Sequence, residues 1–230
     1  MPAAPVNPFL DADLAARFAA GATALLQTAP TPEGCLDLVR TAIYYADHCL
    51  ARLAVEQPLP QPLACEAGCD ACCYNQIELT APEALFLGSY LEARFSPEQR
   101  HALRERAAQT LARRAGLSKR EIAAQRGEHP CPLLQAHRCL AYEARPLLCR
   151  AMHSLDAAAC YRELADPLHP IVPFYSHIQI IYVSLSHGLH QVCGTFHLQT
   201  GPLDLAQVLL TLCDQPDLAR RWLMGEKVFG

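Results

Sequence analysis

The sequence predicts a mainly α-helical domain in which cysteine-rich metal-binding loops are inserted between helices, with little or no sheet. Three observations lead to this fold class. Apolar residues recur at helical spacing over most of the chain, and Asp, Ser, Thr or Pro stands where the helices would begin. The cysteines, in contrast, collect in two stretches that also carry Pro or Gly.

We expect residues 1–230 to form a single domain. Residues 65–160 would be its cysteine-cluster metal-binding core, with N-terminal helices in 1–57 and C-terminal helices in 170–225 packed around it. A chain of 230 residues with 51% hydrophobic content is long and apolar enough to bury a substantial core.

Two helices are predicted before the first cysteine stretch. Asp11 precedes an apolar pattern of helical spacing and is placed to cap the first helix, and Thr31 followed by Pro opens the second. Cys35 and Cys49 fall among the apolar positions of the second helix, so we interpret them as small core residues.

After the first cysteine stretch, Ile77 and Leu79 alternate with polar residues and predict one short strand. Three capping signals, beginning at Thr80, Ser96 and Ser118, then predict three helices. We expect the helices between the two cysteine stretches to form a hairpin that brings the stretches together.

Proline, serine and glycine mark the remaining helices. Pro146 fits the first turn of one helix, and Ser154 is placed to cap a short one. Pro170 precedes a long helix that ends at Gly194, and Pro202 begins another.

Composition and charge narrow the class of function. The formal net charge of −4 does not favour nucleic-acid binding. The chain begins without a basic and apolar leader, and its most apolar run, 178–185, is too short to span a bilayer. We therefore expect a cytoplasmic protein without membrane contact, a setting in which clustered cysteines more often bind metal than form disulfides.

Eight of the twelve cysteines fall in two stretches. The first stretch reads C-E-A-G-C-D-A-C-C, and the second extends from 131 to 160. Thiolates are soft ligands that suit zinc and iron, so we expect the two stretches to meet at a metal centre. The candidate ligands are Cys65, Cys69, Cys72, Cys73, Cys131, Cys139, Cys149 and Cys160.

Three chemistries compete for these thiols. Four thiolates can hold zinc in a structural tetrahedron, three or four can hold a redox-active iron–sulfur cluster, and pairs can form disulfides, which the expected compartment disfavours. Adjacent Cys72 and Cys73 cannot both face one small ion equally well. Eight thiols therefore fit either a dinuclear site or one four-thiolate site with spares, and the predicted cofactor is zinc or iron, with an iron–sulfur cluster as the alternative.

Thiolates that are buried need compensating charge. Arg145 and Arg150 bracket Cys149, and our hypothesis is that both donate hydrogen bonds to thiolate sulfurs, with an ordinary surface salt bridge as the alternative. His153 is the histidine placed best to act as a ligand or proton donor beside the centre.

The pattern C-x3-C-x2-C-C, followed by C-P-L-L and R-C-L-A-Y-E-A-R-P-L-L-C-R, resembles the YkgJ-type cysteine-cluster family of zinc- or iron-chelating proteins. The resemblance covers about residues 65–160 and implies metal binding without implying one reaction. It marks the seven cysteines from Cys65 to Cys149 with Arg145 and Pro146, and Cys160 joins them through a subgroup. Some relatives carry the domain beside protein-lysine methylation activity with an iron–sulfur cluster.

Two further patterns have a weaker interpretation. The spacing C-x3-C-x2-C also matches the loop of radical S-adenosylmethionine enzymes, but the adjacent fourth cysteine and the missing strand–helix alternation disfavour that class. The spacing H-x2-H-x2-C-x3-H from His187 to His197 fits a second metal site, although a core Cys193 with surface histidines is the favoured interpretation.

Residues 94–126 are locally basic. They fit either a docking face for an acidic partner or nucleic acid or, as the favoured interpretation, a solvated helix face. Three hypotheses for function follow: a metal-binding protein that is structural or stores and delivers metal, an iron–sulfur redox protein or enzyme, and an interaction module that presents the basic segment.

Overall fold

Helices dominate the computed structural model, which describes residues 7–167 and 172–230. Over these residues it contains ten α-helices, and 64% of the residues are helical against 4% in strands. The prediction of a mainly α fold with little sheet is confirmed. The four strands are two residues long each and form two antiparallel pairs.

The elements are numbered here in chain order. The α-helices are α1 (Ala12–Thr28), α2 (Pro32–Glu56), α3 (Ala81–Arg94), α4 (Pro97–Arg114), α5 (Lys119–Ala124), α6 (Leu147–Ala151), α7 (Ala157–Ala165), α8 (Ser176–Thr195), α9 (Leu205–Asp214) and α10 (Leu218–Leu223). The strands are β1 (Glu78–Leu79), β2 (Leu134–Gln135), β3 (Arg138–Cys139) and β4 (Leu203–Asp204). Short 3₁₀ helices lie at Ala71–Tyr74, Arg126–Glu128 and Tyr142–Ala144.

Side-chain caps set the starts of the first five helices, as the sequence predicts. The Asp11 carboxylate accepts a hydrogen bond from Leu14 N at 2.9 Å and begins α1. Thr31 begins α2 in the same way, through Gly34 N at 3.1 Å. Capping boxes open α3, α4 and α5, because each Thr or Ser at the N-cap faces a Glu or Gln three positions later.

The core of the molecule lies where α8 packs against α1 and α2, three helices that we call the helical scaffold. Leu185 and Leu189 of α8 are fully buried there. Gly188 lets α1 approach closely, since a Cβ at this position would lie 2.6 Å from Phe18 Cδ1 and 2.9 Å from the Ala15 carbonyl oxygen. Burial of apolar surface, worth about 25 cal/mol per Å², stabilises the scaffold, which carries none of the eight clustered cysteines.

Residues 64–165, which we call the cysteine segment, join the rest of the fold at several places. Within this segment α6 packs on α8, α3 on α2, and α4 on α9. Strand β1 pairs with β4, with Leu79 opposite Leu203. The residues that follow the first cysteine stretch are therefore tied to the start of α9.

Two predicted helix starts were wrong. Helix α7 is capped by Asp156 and not by Ser154, whose hydroxyl instead accepts a hydrogen bond from Asp156 N at 3.0 Å. The helix expected at Pro202 begins only at Leu205, because the residues between them pair with β1 and Asp204 then acts as the cap. Pro170 lies outside the described residues.

The expected hairpin of helices between the cysteine stretches was also wrong. Leu103 and Ala107 of α4 are fully buried, and α4 packs along α9. Helix α3 packs instead on α2. The helices between the stretches thus pack mainly on α2 and α9, partners that the local pattern could not identify.

Candidate metal centre

The two cysteine stretches line one cavity of about 550 Å³. The first stretch contributes the 3₁₀ helix Ala71–Tyr74 and the loop before it, and the second contributes the β2–β3 hairpin and α6. The cysteines that line this cavity are Cys65, Cys69, Cys72, Cys73, Cys131, Cys139 and Cys149.

Cys160 lies on α7 beside a smaller cavity of about 70 Å³. Cys65, Cys69 and Cys72 line this smaller cavity as well. The eight predicted ligands therefore surround two adjoining cavities. Of these eight, Cys65 and Cys72 are exposed and the other six are half-buried.

A tight turn shapes the first stretch. Gly68 has φ +97°, a left-handed conformation that glycine adopts without strain, and Cys69 N donates to the Glu66 carbonyl at 3.1 Å to close the turn. Further along, Cys131 N donates to the Cys73 carbonyl at 2.8 Å. The main chains of the two stretches are thus bonded directly beside the cavity.

The β2–β3 hairpin positions Cys139. It pairs Leu134 with Cys139, and the two residues of its turn, Ala136 and His137, have φ of +48° and +60°. Left-handed residues at both positions give the turn that matches the twist of paired strands, and Asn-Gly is the usual sequence there. Ala136 and His137 do not match this usual turn sequence, so the hairpin was not predicted.

Asp70 braces the site from within the first stretch. Its carboxylate is 4% exposed, accepts a hydrogen bond from the Tyr161 hydroxyl at 3.0 Å, and lies 2.8 Å from His137 Nδ1. It joins the first stretch to the hairpin and to α7. Sequence reasoning missed Asp70, whose one signal was its place inside a cluster of thiols.

Glu83 holds the start of α6, the helix that carries Cys149. One oxygen of this buried carboxylate accepts from Leu147 N at 2.7 Å, and the other accepts from Thr80 N at 2.9 Å. Ser186 Oγ on α8 lies 3.4 Å away. Burial raises the pKa of Glu83, while these donors oppose the shift. The capping box predicts the bond to Thr80, but the contact with α6 was missed.

Cys72 and Cys73 differ in their readiness to ionise. A hydrogen bond from the Cys73 thiol lowers the pKa of Cys72 to about 7, and the positive charge of Arg145 acts in the same direction. The same hydrogen bond, with burial, raises the pKa of Cys73. Cys72 is therefore the member of the pair that becomes a thiolate near neutral pH.

Burial governs the thiols deeper in the cavity. It raises the pKa of Cys131 to about 12, and it also raises the pKa values of Cys139 and Cys149 although the charge of Arg145 lowers both. These thiols keep their protons at neutral pH in the absence of metal. Metal binding at these residues must therefore release protons.

The two predicted arginines occupy different positions. Arg145 lines the large cavity, its guanidinium lies 3.7 Å from the centre of the Tyr142 ring, and its Nε donates to the Tyr142 carbonyl. Arg150 donates to the carbonyls of Arg145 and Glu143. These hydrogen bonds of both arginines thus serve the backbone beside the cavity, and hydrogen bonding to thiolate sulfurs stays a prediction.

His153 lines the smaller cavity, yet both of its ring nitrogens are engaged. Nδ1 lies 2.8 Å from the Ala151 carbonyl oxygen, and Nε2 accepts from Tyr175 N at 2.9 Å. These partners require the neutral ring with its proton on Nδ1. The neighbouring Ser154 N does reach a cluster sulfur, since it donates to Cys65 Sγ at 3.3 Å.

The histidines of α8 do not assemble with Cys193. Cys193 is fully buried in the core, whereas His187 and His190 stack on each other at the surface of α8. Cys35 is fully buried and Cys49 half-buried, both packed in the core cluster. The interpretation of these cysteines as core residues is confirmed for Cys35 and Cys193.

The basic segment 94–126 uses many of its charges within the molecule. Its ion pairs connect helices α4 and α5 and the residues after them to β1, β4, α7 and α9. The pairs are Arg104–Asp214, Arg114–Asp204, Lys119–Glu78 and Arg126–Glu163. A protein partner for this segment stays a prediction.

The chemistry of the donor set fits a thiolate-bound metal. All twelve cysteines are free thiols, and eight of them surround the adjoining cavities beside the cationic Arg145. In the described part of the chain, no group of three or more His, Cys, Asp or Glu side chains converges tightly enough to hold an ion. The thiols line the cavity walls, so binding would have to draw them inward.

Comparison with protein families identifies the cysteine segment. Residues 64–165 match the family model CxxCxxCC, described as "Putative zinc- or iron-chelating domain". The resemblance drawn from the cysteine spacing is therefore confirmed, and the match to a zinc- or iron-chelating domain supports metal binding.

Comparison with curated proteins finds a short match. It is 43% identical over 68 residues to solute carrier family 35 member E4 of Rattus norvegicus, and 40% identical to the Homo sapiens protein. It covers 29% of this chain and 18% of each relative, so the chain spans less than a fifth of their length.

Among the described residues no helix is long and apolar enough to cross a bilayer. No solved structure matches the chain.

Proposed function

Because residues 64–165 match the CxxCxxCC model of zinc- or iron-chelating domains, we propose that the clustered cysteines of this chain hold zinc or iron as thiolates. The cavity of about 550 Å³ lined by seven cysteines carries this proposal. Two stretches that are distant in sequence supply these thiols, so a bound metal cross-links them and stabilises the folded segment.

The chain's own residues supply charge and rigidity to this site. Arg145 favours the ionised form of nearby thiols, which is the form that binds metal. Asp70 holds the first stretch against the hairpin, and Glu83 holds the helix of Cys149 against α8. A bound ion supplies the remaining cross-link between the stretches.

An iron–sulfur redox protein is the second candidate. The cavity volume of about 550 Å³ lies within the range of small-molecule sites, about 300–1,000 Å³. A single zinc ion with bonds of about 2.3 Å to four sulfurs needs far less room. The exposed Cys65 and Cys72 also leave the site open to an electron-transfer partner.

Metal analysis of protein purified without oxygen tests the proposal and separates its two forms. Colourless protein with stoichiometric zinc supports the first form, and brown protein with iron and acid-labile sulfide supports the second. Cys69→Ser with Cys131→Ser, one substitution in each cysteine stretch, should abolish metal binding, whereas Cys213→Ser, a half-buried cysteine outside the cluster, should leave it unchanged. Trace occupancy by both metals in the unmodified protein would overturn the proposal.

A further inference from the structure

The two cavities divide the eight cysteines into two sets of four. The inner set lines only the large cavity, and the outer set lines the small one. The inner set is Cys73, Cys131, Cys139 and Cys149, and the outer set is Cys65, Cys69, Cys72 and Cys160. Each set has the number of thiolates that one tetrahedral metal ion requires.

The thiols of each set also lie close enough to affect one another's ionisation. The pKa of Cys69 in the outer set is raised by burial and also by ionisation of Cys65, Cys72 or Cys160. In the inner set, ionisation of Cys131 or Cys139 likewise raises the pKa values of Cys73 and Cys149. Cys72 is the one outer thiol that these interactions also connect to inner thiols, which places it at the boundary between the sets.

The backbone at this boundary explains how adjacent cysteines can serve different sets. Cys72 and Cys73 lie in the 3₁₀ helix Ala71–Tyr74. With three residues per turn, successive side chains of a 3₁₀ helix point about 120° apart. Cys72 can therefore face the small cavity while Cys73 faces only the large one.

We infer that this protein holds two thiolate-bound metal ions, one in the outer set and one in the inner set. The inference rests on the proposed function and deepens it by assigning a separate group of ligands to each ion. A single tetrahedral ion would leave four clustered thiols without a metal partner. Two divalent ions, in contrast, use all eight thiols and offset half of their thiolate charge, with Arg145 beside the boundary residue Cys72 adding a further positive charge.

The two metal positions differ in their access to solvent. The outer set contains both exposed thiols of the cluster, Cys65 and Cys72, whereas every member of the inner set is half-buried. The inner set is also held by the hydrogen bond between Cys131 N and the Cys73 carbonyl and by the β2–β3 hairpin. The outer ion should therefore exchange with solvent chelators before the inner ion.

Titration of the metal-free protein with Co²⁺ under anaerobic conditions tests the stoichiometry. Thiolate-to-cobalt absorption should rise to two equivalents in the unmodified chain. Cys160→Ser and Cys131→Ser should each reduce this to one equivalent, and Cys213→Ser should retain two. A break at one equivalent in the unmodified chain overturns the two-ion inference and leaves metal binding intact, whereas no cobalt binding at all overturns the proposed function as well.

A second measurement on the unmodified chain does not depend on how the variants fold. Zinc-loaded protein is treated with a chelator for increasing times, and free thiols are alkylated and located by mass spectrometry. The four outer cysteines should become labelled together, before the four inner ones. Simultaneous labelling of all eight, or labelling that mixes the sets, overturns the division.

Discussion

In the helical scaffold, long helices bury side chains such as Leu185 and Leu189 against one another. The cysteine segment instead places its thiols on turns, on a hairpin of two-residue strands, and on helices of five and nine residues. Helices this short are not stable alone. Burial of Leu147 and Ala151 against the core supports α6, and polar contacts add to this support around the thiols. The carboxylates of Asp70 and Glu83 bridge separate elements, and a main-chain bond joins the stretches at Cys73 and Cys131.

This difference assigns separate tasks to the two regions. The scaffold takes its stability from apolar burial, which does not depend on metal or on the state of the thiols. The cysteine segment also buries apolar side chains such as Leu87 and Leu147, but around its thiols it relies on polar contacts and on a ligand set that metal can cross-link. Metal should therefore change the stability of the segment far more than that of the scaffold.

Removal of metal tests this division of tasks most directly, and it should have the largest effect on stability. Metal at about 1,000 times its Kd stabilises the state that binds it by about 4 kcal/mol. Hydrogen exchange after anaerobic chelation should show faster exchange in the 3₁₀ helix Ala71–Tyr74 and in α6, with protection retained in α8. Equal loss of protection in all three would contradict the division of tasks.

Leu185→Ala tests the scaffold side of the comparison. Leu185 is fully buried in α8, so the cavity left by the substitution should lower the free energy of unfolding by about 2–5 kcal/mol. The amount of metal bound per folded molecule should not change. Urea unfolding and metal analysis measure the two quantities, and Leu25→Ala, at an exposed position of α1, is the control expected to stay within about 0.5 kcal/mol.

Glu83→Gln tests the contact between the two regions. The amide has one acceptor oxygen where the carboxylate has two, so one buried donor loses its partner and the free energy of unfolding should fall by about 1–3 kcal/mol. Metal affinity should fall with it, because α6 carries Cys149. Glu92→Gln, on the exposed face of the same helix α3, is the matched control.

The raised pKa of Glu83 predicts that the stability of the metal-free protein depends on pH. Burial raises its pKa in the folded state above the ordinary value, so its contribution to stability is complete below that ordinary value and is lost as pH rises through the folded-state pKa. In metal-free protein, stability should therefore decline with rising pH above the ordinary carboxyl range. Glu83→Gln should flatten this part of the urea-derived profile, and an unchanged slope would contradict the assignment.

Gly68→Ala should have the smallest effect on stability. It compares a glycine in the turn of the first cysteine stretch with a glycine in the helical scaffold. A Cβ at Gly68 meets no atom within 4 Å, so any cost comes from its φ of +97°, about 1–2 kcal/mol for a residue with a Cβ. Because about 1.4 kcal/mol corresponds to a factor of ten in an equilibrium constant, strain of this size in the ligand-bearing turn should lower metal affinity by about tenfold. Gly21→Ala in α1, where a Cβ also meets nothing within 4 Å, should instead stabilise by about 0.5–1 kcal/mol. Equal effects of the two substitutions would contradict this account.

The fold class and the first five helix starts were predictable because their signals are local. A capping box such as Thr80 with Glu83 is complete within four residues. The start of α7 was not predictable from the sequence, because Ser154 and Asp156 are both good N-cap residues and stand only two positions apart. Tertiary structure decides between them: Ser154 N donates to Cys65 Sγ, a partner 89 residues away in sequence.

The candidate site was predictable only as a set of thiols. Clustering and the family resemblance indicate the eight cysteines, and the structure places them around adjoining cavities. The residues that hold them are invisible to local patterns, since Asp70 meets His137 across 67 positions and Glu83 meets Leu147 N across 64. Their role as metal ligands stays a prediction until metal is measured.

The pairing of β1 with β4 has a consequence for anyone who would transplant this metal site into another protein. Recognisable family sequence ends at residue 165, yet Leu79 pairs with Leu203, Ala81 N donates to the Thr200 carbonyl, and Leu205 N donates to the Ile77 carbonyl. A graft of residues 64–165 alone would leave the edge of β1 and the face of α6 without their neighbours. The smallest portable unit therefore includes α8, β4 and α9, and the boundary of sequence similarity is not the boundary of cooperative folding.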